Sequence, residues 1–372
     1  MSREIASSGF ADGVVVARRG AGKGEREVKG SSQASIRERM ERSDSLRRGV
    51  KQVYIYVFLV LIVAIFSVAK LGQVEFFGRG HFLSPGSVIN LLRTAVPILT
   101  LSGAFTLLMI SGYIDLSVGS AMSLSAVVFA LAIRSGFGFP EAIGIGLVLG
   151  MAMGGFNGFL VMRLRITPVI ATLVTLNLYK GLALLMVPHG VSAIKSIPDA
   201  PMPAWINDYA RQEVFLGLPW AFYAAVLIIA IMIVLQRRTV IGKYSAAIGG
   251  NRTAAELSGI NAVRMVWILY VIVGLCAAMA GMARASFMSL GDPLSGDSME
   301  LDCIIAVLLG GTAFSGGEGS VAKTVVGALI IMCVTTGLMT VIPAYWQTMA
   351  KASVLLVAVV LNHLLVRTKA LS

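Results

Sequence analysis

"ISGYIDLSVGSAMSL", Ile110 to Leu124, sets an aspartate inside a run that carries no other charge. Asp115 is hemmed in by Gly112 and Gly119 and by Ser111, Ser117 and Ser120. A carboxylate in hydrocarbon is costly, so it is neutral, partnered or facing water. The surrounding chain says that hydrocarbon is the relevant solvent. Of its 372 residues, 56% are hydrophobic and 13% are charged, whereas a soluble domain carries about 25% charged residues. The mean hydropathy is +0.82. Apolar runs recur, each long enough for a hydrocarbon core of roughly 30 Å. The fold class is therefore all-α, polytopic and membrane-spanning.

Ten candidate spans follow: 52–70, 87–110, 113–134, 140–162, 167–187, 218–235, 263–283, 300–314, 319–341 and 345–366. The eighth is too short to cross untilted, and glycines follow it. Residues 1–50 are rich in Gly, Ser and charge and have no apolar period, which predicts a disordered basic tail. No short apolar core with a small-residue cleavage site follows that tail, so it does not resemble a secretory signal. The membrane domain is expected over 51–367.

The net charge of +12 is spread in a way that sets orientation rather than binds nucleic acid. Residues 1–51 hold 12 Lys/Arg against 7 Asp/Glu. With the N-terminus inside, the inner loops and C-terminus hold nine basic residues, among them Arg163, Arg165, Arg237, Arg238, Lys243 and Arg252. The opposite loops hold six, with seven carboxylates. The asymmetry predicts that both termini are cytoplasmic. Cys276, Cys303 and Cys333 lie in apolar segments without metal-ligand spacing, and nothing clusters with His81, His189 or His363. No metal site is expected.

Two loops are long. Residues 188–217, on the outer side, carry prolines and the Trp205/Tyr209 pair of an interfacial segment. Residues 236–262, on the inner side, hold "AAIGGNRTAAELSGI". Gly249 and Gly250 break a preceding helix. Thr253–Leu257 forms a short one, capped by Asn251 and ended by Gly259. Ala254, Ala255 and Leu257, beside Glu256, give it a small apolar face. That face suits docking on a cytoplasmic partner or merely a capped connection between spans.

Gly310, Gly311, Gly316, Gly317 and Gly319 interrupt two apolar spans. Broken helices persist at depth only against protein or a water-filled cavity. A packing turn and a hinge or gate both fit. Asp115 is a candidate cap for the third span, with direct solute contact as the alternative. Asn157, between Gly155 and Gly158, is a candidate for interhelical hydrogen bonding or solute contact. Glu300 and Asp302 open the eighth span from outside, to cap it or to meet a partner.

Four blocks, in order, resemble the sugar-type ABC importer permeases of the ribose, xylose and galactose systems. The opening stretch is similar to that family's GGIDLSVG signature. "GGFNGFLVMRLRITPVIATLVTL" (Gly154–Leu176) resembles its G-x-x-N-G segment and threonine-rich span, and so marks Thr172 and Thr175 as pathway candidates beside Asp115, Asn157, Gly311, Gly316 and Gly317. "IGGNRTAAELSGI" (Ile248–Ile260) resembles its cytoplasmic loop, and Glu300–Ile330 its late glycine-rich segment. Tyr113, Cys303 and Lys323 depart from the usual residues, and the first 50 residues lie outside the resemblance.

The resemblance implies a ten-helix ABC importer permease fold in a bacterial inner membrane. It implies a second permease subunit, a cytoplasmic ABC ATPase that docks on the inner loop and uses ATP and Mg, and a periplasmic sugar-binding protein. It further implies import of a monosaccharide or polyol by alternating access. The permease itself is then expected to be non-catalytic and to bind no cofactor. Neither "GAGKGE" (Gly20–Glu25) nor "SGGEGSVAKT" (Ser315–Thr324) completes a phosphate-binding loop. Few aromatic–carboxylate pairs lie within the spans, which predicts that selectivity rests largely with the binding protein. Permeases for nucleosides or branched-chain amino acids are the nearest rivals. A secondary transporter needs an intramembrane charge relay, with Asp115, Arg93, Lys180 and Lys351 the groups at hand; the three long basic chains are expected to snorkel to span ends. An intramembrane aspartyl protease needs two facing carboxylates, and Asp115 and Asp302 lack its G-x-G-D context.

Overall fold

A computed structural model describes residues 85–187 and 209–341, with scattered positions over 55–64 and 349–356; side chains beyond 337 are described only at a few of the latter. The tail, most of the first and tenth candidate spans, Lys351 and Trp205 lie outside the described residues. Helices dominate. Among the described residues there is no β-strand, only an antiparallel bridge between Phe215 and Leu218.

The helices, in chain order, are α1 (Pro85–Thr94), α2 (Val96–Ile110), α3 (Val118–Arg134), α4 (Phe139–Met162), α5 (Pro168–Leu185), α6 (Trp220–Arg238), α7 (Val240–Gly250), α8 (Arg252–Leu257), α9 (Ala262–Met288), α10 (Met299–Leu309) and α11 (Val321–Val341). Among the described residues, α4, α5, α6 and α9 are each long and apolar enough to cross a membrane. The α1–α2 pair, bent by 47°, is long and apolar enough for a fifth if its two helices count as one span. Pro97 near the start of α2 removes a backbone donor at that bend. This is a polytopic all-α membrane protein.

All fifteen residues of α2 are buried, as expected of a helix apolar on every side. The longest helix, α9, packs along α4, α3 and α2. Glycines four apart on α4 let the backbones meet: a Cβ on Gly150 would stand 2.6 Å from the Gly274 carbonyl oxygen, and one on Gly158 2.7 Å from the Trp267 ring. Small residues at this spacing are how helices associate where lipid removes the hydrophobic drive. Outward faces are apolar on α4 (Val148, Met151, Phe156, Phe159) and on α6 (Val226, Leu227, Ile231, Val234).

Two candidate spans are rearranged. The third is helical only from Val118; residues 113–117 form a non-helical break. The eighth is α10, 11 residues and about 16 Å long at 1.5 Å per residue. The stretch before it, read from sequence as an outer loop, packs one side against α3 instead. Gly291 packs against Ala126, Val127 and Ala130, and Gly296 packs against Gly119 and Ser123. Residues 289–298 thus descend alongside α3 before α10 begins. Gly119 is fifteen residues from Arg134, so α10 starts about 22 Å from that end of α3.

Candidate functional site

The Asp115 carboxylate is 2% exposed and, among the described residues, has no cation in salt-bridge contact. Hydrogen bonds answer for it instead. Oδ1 accepts from the Ser117 backbone N–H at 2.8 Å and from Ser117 Oγ at 2.7 Å. Oδ2 accepts from Asn157 Nδ2 at 3.0 Å. Asn157 also donates to Ser117 Oγ at 2.7 Å, and Tyr179 OH lies 3.3 Å from Asn157 Oδ1 and 3.0 Å from the Met153 carbonyl. Tyr270 OH donates to the Ile114 carbonyl at 3.0 Å. The α2–α3 break is thereby pinned to α4 and α9, and α4 in turn to α5. Ser117 is the N-cap of α3, so Asp115 binds the capping residue's amide rather than capping the first turn itself. The polar groups satisfy one another, which is what a buried network requires.

Thr172 and Thr175 are fully buried, and each hydroxyl bonds within α5, to the Pro168 and Thr172 carbonyls. They share the inward face of α5 with Tyr179.

A second node lies at the end of the bundle that carries α7 and α8. Gly317 N–H donates to the Ile110 carbonyl at 2.8 Å. A Cβ on Gly249 would collide with that same carbonyl and stand 2.5 Å from Gly317 N. Gly316 and Gly317 both have φ +84, a left-handed conformation that glycine adopts freely. Three features therefore touch backbone to backbone: the α2–α3 break, the last turn of α7 and the α10–α11 turn. Gly311 (φ +79) opens that turn just after α10.

The short inner-loop helix is present. α8 is capped by Asn251, whose side-chain oxygen accepts from Ala254 N–H at 3.0 Å. Gly259, at φ +84, ends it. Ala255 is buried, whereas Ala254 and Glu256 are exposed and Leu257 is 85% exposed. The small apolar face thus divides into an anchor, Ala255, and an outward patch. Gly249 and Gly250 form the last turn of α7, and α7 itself was hidden in the loop by its polar residues. Its signal is Thr239, whose hydroxyl accepts from Ile241 N–H. Arg252 bonds Glu256 at 2.8 Å and Tyr113 OH at 2.7 Å. The bond that Arg252 donates to Glu256 lifts the Arg252 pKa above its ordinary value, with burial acting the other way. Beside α8 is a recess of about 670 Å³ whose lining includes Tyr113, Arg163, Arg165 and Arg252.

Two basic groups expected to snorkel are held by carboxylates. Arg93 reaches Glu213 at 2.6 Å, and Lys180 reaches both oxygens of Asp297 at 2.9 Å. Sequence gave no sign of either pair, because the partners stand more than a hundred residues apart. Cys276, Cys303 and Cys333 are buried free thiols. Among the described residues no group of three or more His, Cys, Asp or Glu is placed to hold a metal ion.

Residues 87–361 match the family described as the branched-chain amino acid transport system / permease component. The chain is 35% identical over 287 residues to the ribose import permease protein RbsC of Bacillus subtilis, covering 76% of this chain and 86% of that protein. It is 34% identical to the galactofuranose transporter permease protein YtfT of Escherichia coli, covering 74% and 80%. With the xylose transport system permease protein XylH of Escherichia coli the identity is 31%, covering 84% and 92%. No solved structure matches the chain.

Proposed function

The chain belongs to the ABC importer permeases of this branched-chain amino acid transport system / permease component family, and we propose that it carries a monosaccharide or related polyol inward by ATP-driven alternating access. It is a multi-pass inner-membrane protein and not itself an enzyme; in this family ATP hydrolysis belongs to a separate subunit. The sugar assignment rests on the relatives, whose names specify ribose, galactofuranose and xylose. Two copies, or this chain and a second permease, enclose the pathway. A periplasmic protein delivers the solute. The α7–α8 end faces the cytoplasm, in keeping with the charge asymmetry of the loops.

One observation carries the mechanism: the backbone junction of Ile110, Gly249 and Gly317. α8 offers Leu257 outward beside a recess lined with arginines, a surface suited to an apolar and acidic groove on the ATPase. Asn251 alone separates α8 from α7. Gly249 has no side chain to cushion a displacement of α7 against the two breaks. Motion of α8 on ATPase closure therefore reaches the α2–α3 and α10–α11 breaks directly, and those breaks change the pathway's access. ATP and Mg bind on the partner and not on this chain.

The test is reconstitution of the chain with its ATPase and binding protein in liposomes. ATP turnover and solute uptake should both rise with one liganded binding protein. Uptake by the chain alone, driven by an ion gradient, would overturn the importer reading.

A further inference from the structure

Among the described helices, outward polar groups part-way along a span gather beside α5. The exposed stripe of α5 runs through Ile170, Leu173, Val174, Leu178, Leu182 and Leu185, with Asn177 exposed among them. Asn177 is nine residues from Pro168, about 14 Å along the helix. Its amide donates to the Leu173 carbonyl at 2.9 Å. One turn further, Lys180 is bound by Asp297, with side chains 34% and 49% exposed. Asp297 belongs to the descending segment 289–298, fixed at depth by Gly296 against Gly119 and by the Gly296 N–H bond to Ser123 Oγ at 2.9 Å. Glu300 follows in the first turn of α10. The outward faces of α4 and α6 carry nothing comparable along their spans.

Lipid is a poor environment for such a surface. A half-exposed carboxylate at this depth is expensive in hydrocarbon. Non-helical backbone at depth is tolerated only against protein or a water-filled cavity. Lys180 has the reach to snorkel, yet it bridges two carboxylate oxygens instead. We propose that the α5 stripe around Asn177 and the Lys180–Asp297 pair line the water-filled translocation path, where amide, ammonium and carboxylate hydrogen-bond the hydroxyls of a polyhydroxylated solute. The ammonium donates, the carboxylates of Asp297 and Glu300 accept, and the Asn177 amide does both. The solute class rests on the importer reading above; the water-facing assignment does not. The path then carries polar solute contacts of its own, which the scarcity of aromatic–carboxylate pairs within the spans had argued against.

The experiment uses the full complex in membranes. Asn177→Cys and Leu227→Cys are labelled with a membrane-impermeant methanethiosulfonate, with the unsubstituted chain as background, since its described cysteines are buried. The expected result is labelling of the α5 position at least tenfold faster than that of the α6 position, and slowing of the α5 rate alone when ATP-driven transport fills the path with ribose or xylose. Equal rates would overturn the assignment. Lys180→Met should lower uptake at least tenfold and Lys180→Arg should restore most of it. Undiminished uptake by Lys180→Met would overturn the role in solute contact. Failure of the unsubstituted complex to couple ATP to uptake would instead sink the importer reading and leave the labelling result standing.

Discussion

The amide of Gly317 and the carbonyl of Ile110 meet at 2.8 Å although 207 positions separate them in the chain. The bond ties two interrupted spans at one point, and α7 presses on that point through Gly249. Side chains have no room there, so the junction is sensitive to volume rather than polarity.

Gly249→Val should lower the melting temperature of the purified chain, by an amount reflecting about 1–3 kcal/mol of overpacking. Thermal unfolding in detergent measures it. Gly250 has open space around its Cβ position, so Gly250→Ala should perturb the fold far less.

Leu257→Asp is expected to leave stability within about 0.5 kcal/mol, because the side chain is 85% exposed. It should abolish the stimulation of ATP turnover by the binding protein in liposomes. Ala255→Asp is the contrasting variant. Ala255 is buried, so its loss should register as unfolding of the chain before any loss of coupling.

Asp115→Ala removes the acceptor of three hydrogen bonds; it strands the Ser117 N–H and leaves the Asn157 amide only its bond to Ser117 Oγ. An unsatisfied buried polar group costs about 1–3 kcal/mol. Asp115→Asn keeps one acceptor oxygen for Ser117 and should be milder. The ranking Asn above Ala in thermal stability is the expected outcome; equal stability of Ala and unsubstituted chains would show that the network is not structural.

Gly296→Val should disrupt the descent of residues 289–298, since its Cβ would enter the Gly119 carbonyl. Limited proteolysis is the readout: cleavage near residues 289–298 should appear in the variant and be absent from the parent.

Much of this was legible in sequence, for a physical reason. The candidate spans 140–162, 167–187, 218–235 and 263–283 correspond to α4, α5, α6 and α9 with ends shifted by five residues or fewer. Each is a continuous apolar run, and continuity is what the bilayer demands. Asn251 as a cap and Gly259 as a stop were readable because capping is local chemistry. The descent of 289–298 was not readable. Its Gly, Pro, Ser and Asp look like a surface turn, and only packing on α3 shows otherwise. Asp115 was visible as an anomaly, but its partner Asn157 is 42 residues away. Lys180 was misjudged for the same reason: a long cation inside a span looks free to snorkel until Asp297 is beside it.

The short α10 also bears on how the chain is made. At 11 residues, it spans about half the hydrocarbon thickness. The insertion machinery sorts segments by length and hydropathy as they emerge from the ribosome. Alone, α10 falls short of that threshold, and the ten residues before it are polar and irregular. They enter the bilayer only once α3 is there to receive them. Assembly of this region therefore waits on the earlier helices, and a defect at Gly119 or Gly291 would surface first as failed biogenesis rather than as slow transport.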